Sequence, residues 1–240
     1  MSEGYYVGAY WLGRKESAEV CARRAETFFQ RLGALASTWT RWFGTGRSRK
    51  AALDKPIAPL AASTFEALFA QKQHQQLEDG FLLWTWSGEP QGDATGVILS
   101  CGSSSQDLCD SCTLTPPRKG VVAEEVLSAP LLSGVLQAMA LAWEPEWGVA
   151  TSDVHRDDIL KTATPGTFIG WLTYLSRRRG PVPPLPAPVR VEPVADLGML
   201  VILTTERFTA SNPDHVALAA RVQTLLFDAG LLHPLKPGGA

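Results

Sequence analysis

The chain has 240 residues, 45% hydrophobic and 19% charged, with a formal net charge of −2. That supplies a sizeable core but too little charge to argue for direct nucleic-acid binding or attraction to a membrane surface. The longest apolar runs fall far short of the roughly 20 residues that span a bilayer. Met1-Ser2-Glu3-Gly4 leads into a strand without a basic start, so a cytoplasmic protein is expected.

Tyr5 to Trp11 (YYVGAYW) reads as the first strand, with Gly8 thinning one face. Glu16 and Ser17 open a helix to about Ala36, whose apolar stripe is Cys21, Ala25, Phe28, Leu32 and Leu35. Thr38 to Phe43 (TWTRWF) is a short aromatic strand or turn, and Gly44 to Lys50 (GTGRSRK) a basic loop. Residues 60–76 read as a second helix that buries Phe65, Leu68 and Phe69 and ends in an exposed Gln-rich tail. Phe81–Trp86, Thr95–Cys101 and Cys112–Thr115 then follow as antiparallel hairpins with Gly/Pro/Asp-rich turns.

A long helix is expected from Ser128 as N-cap, with Pro130 in its first turn and an end at Glu144-Pro145. Met139 to Arg179 organises the remainder. Phe168 to Leu175 is apolar on both faces and so predicts a strand in the middle of the sheet. The connection before it, with Asp153, His155, Arg156, Asp157 and Asp158, is too polar to bury. Residues 181–188 form a proline-rich, extended strap internal to one domain. Val189–Val194 and Met199–Leu203 are further strands. A last helix runs from an Asn212 cap and Pro213 to Gly230, and Pro237 to Ala240 is a frayed end. Strands cluster between helices without βαβ alternation, which predicts a single α+β domain over residues 1–240, a mostly antiparallel sheet with helices packed on it.

Motifs for chemistry are sparse. Gly44-Thr45-Gly46 lacks the third glycine of a dinucleotide fingerprint, Gly102-Ser103-Ser104-Ser105 reads as a flexible loop, and no nucleophile elbow is present. Cys109 and Cys112 form a CxxC. With Cys101 alone and the histidines scattered, no second ligand pair completes a zinc site, so reduced structural thiols are expected, with a zinc scaffold through Cys101, Cys109 and Cys112 as a minor alternative. His155 beside Asp153, Asp157 and Asp158 offers a base with carboxylates, the makings of a metal-dependent hydrolase. Charge is more telling. Residues 1–72 hold 11 bases and 6 acids, whereas residues 73–175 hold 4 bases and 13 acids. An acidic middle with Glu144, Glu146, Asp153, Asp157 and Asp158 suits a basic protein partner, and Trp147 and Trp84 are candidate anchors for such an interface.

YYVGAYW, ESAEVCARRAETFF, AMALAWEPEWGVATS, FIGWLTYLSRRRG with PVPPLPAPVRVEP, and ERFTASNPDHVALA follow in that order from residue 5 to about 232. Together they resemble the immunity protein 52 family, WEPEWG and GWLTYLSRR most specifically. CGSSSQDLCDSC matches no fixed pattern of that family. The resemblance implies a cytosolic antidote in a bacterial polymorphic toxin system, bound to a cognate toxin, often a restriction-endonuclease-like nuclease. It carries over no catalytic residue, and no cofactor or metal is expected; the charge cluster then makes Glu144, Glu146, Trp147, Asp153, Asp157 and Asp158 the expected toxin-binding surface.

Overall fold

A computed structural model describes residues 3–76, 80–90, 94–105, 109–161 and 163–235. The chain runs β1 (Tyr5–Leu12), α1 (Ala18–Leu35), β2 (Phe43–Gly44), α2 (Arg49–Leu53), α3 (Ala62–Phe69), β3 (Phe81–Trp86), β4 (Gly96–Cys101), β5 (Cys109–Thr115), α4 (Val121–Val126), α5 (Ala129–Trp143), β6 (Trp147–Ser152), β7 (Leu172–Ser176), β8 (Arg190–Val194), β9 (Gly198–Ile202) and α6 (Pro213–Asp228). The nine strands form one sheet in the order β2-β3-β4-β5-β1-β6-β7-β9-β8. Every pairing is antiparallel. The single α+β domain expected from the strand clusters is therefore what the chain builds.

The centre of the sheet is β1. Its Tyr5, Val7, Ala9 and Trp11 are buried on one face, in register with Leu114, Cys112 and Asp110 of β5 from Val7 onward. Helices α1 and α5 cover this face. Ser17 caps α1 by accepting from the Val20 amide, and the Cys21, Ala25, Phe28 and Leu32 stripe is fully buried. Phe29 packs its ring on Trp42 and Phe65, each at 5.1 Å, joining α1 to α3. In α5 the stripe Leu132, Leu136, Met139 and Trp143 is buried, and Glu144 closes the helix in a left-handed conformation (φ 47°) directly before Pro145.

Several expectations shift. Phe168–Leu175 does not supply the central strand: strand pairing begins only at Leu172, and β7 is seventh of nine, though interior. The chain before it is held otherwise. Gly170 donates to Thr173 Oγ1 and Trp171 Nε1 to Thr204 O. A Cβ at Gly170 would lie 2.5 Å from Val149 Cγ2 and 2.6 Å from Ala150 O, so only glycine passes β6 this closely. The basic loop contains α2, because Ser48 accepts from the Ala51 amide and nucleates it. The second helix stops at Phe69 and continues only as a 3-10 turn at Lys72–His74. TWTRWF becomes a 3-10 turn and then β2, with Trp39 Nε1 donating to Thr95 Oγ1 and Trp42 Nε1 to Trp39 O. Helix α4, which no sequence signal announced, precedes α5.

The final helix agrees closely with its punctuation. Asn212 accepts from the Asp214 amide, Pro213 opens the helix, and Gly230 (φ 74°) follows its end. Residues 181–186 form neither helix nor strand, and Val182 and Leu185 pack against the common core. The expected frayed end lies outside the described residues, as does Gln106–Leu108 of the CGSSSQDLCDSC stretch.

Candidate docking surface

The acidic residues that stand close in sequence divide between two ends of the sheet. Strand β6 lies antiparallel to β1, so that Glu146 donates to Tyr10 O at one end and Asp153 to Gly4 O at the other. At about 3.3 Å per residue, the two lie roughly 20 Å apart. At the first end, Glu144 accepts from Arg24 at 3.1 Å and Glu146 is half-buried beside β7. Trp147, the first residue of β6, is fully buried against Tyr10 (5.7 Å) and Phe168 (4.9 Å). It is a core residue and cannot anchor a partner. The WG dipeptide that drew attention to it marks packing: Gly148 runs against β1 and Leu136.

At the other end, a single turn of π-helix, His155–Ile159, follows β6. Asp153 is held structurally. Its Oδ1 accepts from the Gly4 and Val154 amides at 3.0 Å, and its Oδ2 from Arg118 at 3.2 Å. Asp157 is exposed and pairs bidentately with Arg156, which lowers its pKa, while the Arg156 guanidinium lies 4.8 Å from the Tyr6 ring centre. Asp158 is exposed and has no ion-pair partner among the described residues. Ile159 is exposed too, and with Phe227 of α6 it borders a groove of about 400 Å³ floored by His155, Ala219 and Gln223.

The polar connection was expected to stay in water; His155 does not. It is 2% exposed, edge-on to Phe208 at 4.9 Å, and burial lowers its pKa, so the ring is neutral at physiological pH. None of Asp153, Asp157 or Asp158 hydrogen-bonds that ring. The hydrolase arrangement is thus not assembled: base and carboxylates share a turn without sharing a geometry. Among the described residues, no group of three His, Cys, Asp or Glu side chains is placed to hold a metal ion. The CxxC lies in a strand, where positions three apart point to opposite faces, so Cys112 is buried while Cys109 is on the other side. The thiols that do meet are Cys21 and Cys101, both buried. That contact is not legible in the spacing.

One buried acid escaped the sequence reading. Asp110 lies on the core face of β5, 1% exposed, and burial raises its pKa to about 6 against the opposing pull of the Ser103 and Arg14 backbone. The folded state therefore binds this proton more tightly than the unfolded chain, whose value is near 3.8. Stability is expected to fall as pH rises from about 4 to about 6 through this group, and Asp110→Asn should remove that part of the slope. Urea titrations of both proteins at several pH values check it; parallel curves would refute the assignment.

A helix-backed antiparallel sheet of this arrangement defines a known α+β class. The Pseudomonas aeruginosa T6SS protein PA0821 has the same fold, with a TM-score of 0.62 and 14% identity over 99% of this chain and 76% of that one. No curated protein matches. The chain itself belongs to the immunity protein 52 family, whose family model matches residues 3–235. Among the described residues no helix is long and apolar enough to cross a membrane.

Proposed function

We propose that the protein binds a cognate toxin in the cytoplasm of the cell that makes both and holds it inactive by covering it. The toxin is a nuclease of restriction-endonuclease-like type. Membership of the immunity protein 52 family over residues 3–235 carries this reading. The docking surface is the corner at Asp153 to Ile159, where exposed carboxylates border the exposed apolar Ile159 and Phe227. Such a corner suits basic residues that a nuclease uses for phosphates, with apolar contacts at the centre and charge at the rim. Glu144 and Glu146, at the far end of β6, form a second and separate acidic point.

Expressing the toxin domain with and without this chain tests the function. Survival and a co-purified complex are expected, and death with no complex would overturn the proposal. The surface has its own test. Asp157→Lys with Asp158→Lys should slow association roughly tenfold at low salt and flatten its salt dependence, because steering acts on the encounter rate. Both side chains are exposed, so the fold should be retained. An unchanged association rate would move the interface elsewhere.

A further inference from the structure

Arg23, Arg24, Arg118, Arg156, Arg177, Arg190 and Arg207 each face a carboxylate. One corner gathers cations that do not. Arg41, Arg47, Arg49, Lys50 and Lys55 are all exposed, and none has a carboxylate partner among the described residues. Arg49 and Lys55 donate to backbone oxygens of Gly88 and Thr45 instead. Residues 41–55 thus hold five bases against Asp54, in a chain of net charge −2.

Beside this corner the sheet edge is open. β2 pairs with β3 only at Phe43↔Trp86 and Gly44↔Thr85, and the next contact along that edge is the bridge Gln75↔Phe81. Between them the His74 ring meets Leu82 O, while Leu83 and Trp84 have no strand on that side among the described residues. A groove of about 610 Å³ fills the gap, lined by Gly44, Thr45, Lys55, His74, Leu82 and Trp84. The Trp84 side chain is 50% exposed, an unusual state for so large an apolar group.

We propose that this groove binds an extended acidic segment of a partner protein. The segment's backbone adds to the β3 edge at Leu83–Trp84, and its apolar part lies on the Trp84 ring. Its carboxylates meet Lys55 and the neighbouring Arg47, Arg49 and Lys50. Charge complementarity selects the acidic partner. A nucleic acid fits less well, since the open β3 edge at Leu83–Trp84 offers backbone donors and acceptors that another peptide completes and a phosphate backbone does not. This inference stands apart from the immunity reading and from the acidic corner.

The full-length chain is titrated with poly-L-glutamate and, separately, with oligothymidylate of equal charge, with tryptophan fluorescence as the readout. Poly-L-glutamate should bind more tightly and perturb the emission. Arg47→Glu with Arg49→Glu should weaken it at least tenfold, as should Lys55→Glu alone, and Trp84→Ala should abolish the spectral change. All four side chains are exposed, so unaltered unfolding curves are expected. Failure of poly-L-glutamate to bind, or equal binding by the charge variants, would overturn the proposal. Tighter binding of oligothymidylate would reassign the corner to nucleic acid.

Discussion

Arg179→Met is expected to destabilise the protein by about 3–5 kcal/mol, the range for removing one side of a buried charged contact. The guanidinium is buried after β7 and gathers four carbonyls from distant parts of the chain. Nε donates to Glu146 O at 3.1 Å, and Nη1 to Gly166 O, Leu231 O and His233 O at 3.3, 2.9 and 3.1 Å. Burial lowers its pKa, but a guanidinium remains charged throughout the usable range. Methionine matches the stem and leaves the acceptors dry, each at a cost of about 1–3 kcal/mol where water cannot enter. Lysine should rescue only partly, because a point donor cannot span all four. Guanidinium denaturation measures the three proteins; a methionine variant within about 1 kcal/mol of the parent would mean that water reaches these carbonyls.

Trp143→Ala should cost a similar amount, about 3–5 kcal/mol, for a different reason. The indole is stacked on Trp11 at 5.4 Å and 8°, with both rings in the core between α5 and β1. Arg14 covers the outer side of Trp11 at 5.5 Å and donates to Trp143 O. Alanine would empty the space under a rigid neighbour. Trp143→Phe is the discriminating variant. The indole Nε1 has no hydrogen-bond partner among the described residues, so phenylalanine loses area but no such bond and should cost less than half as much. Equal losses for the two variants would locate the contribution in something other than ring burial.

Local signals were well written in the sequence and lateral ones were not. The Asn212, Pro213 and Gly230 punctuation of α6, and the Ser17 start of α1, each act within one helical turn, which is why they could be read directly. Sheet order depends on partners a hundred residues away, so the doubly apolar 168–175 stretch reads as central although it builds the seventh strand, and β1 reads as an ordinary first strand although it is the middle one. The acidic cluster divides for a related reason: six residues of strand separate Glu146 from Asp153, and a strand turns nearness in sequence into distance in space. The two candidate anchors divide: Trp147 is core, and Trp84 is exposed. In FLLWTW the inward positions are Leu83 and Thr85, and Trp84 points outward with Leu82 and Trp86. A pattern reader would bury the indole and expose the threonine.

Because the middle strand of the sheet precedes the other eight described strands in the chain, it must wait. β1 pairs with residues 109–115 on one side and 147–152 on the other. At roughly 5–20 residues per second, its first neighbour follows after about 5–20 s of translation. Until then both edges of β1 stand unpaired, and the two halves of the sheet have nothing to join them. The two halves of the sheet are therefore joined through β1 only once residue 152 has been made, well past half of the 240 residues.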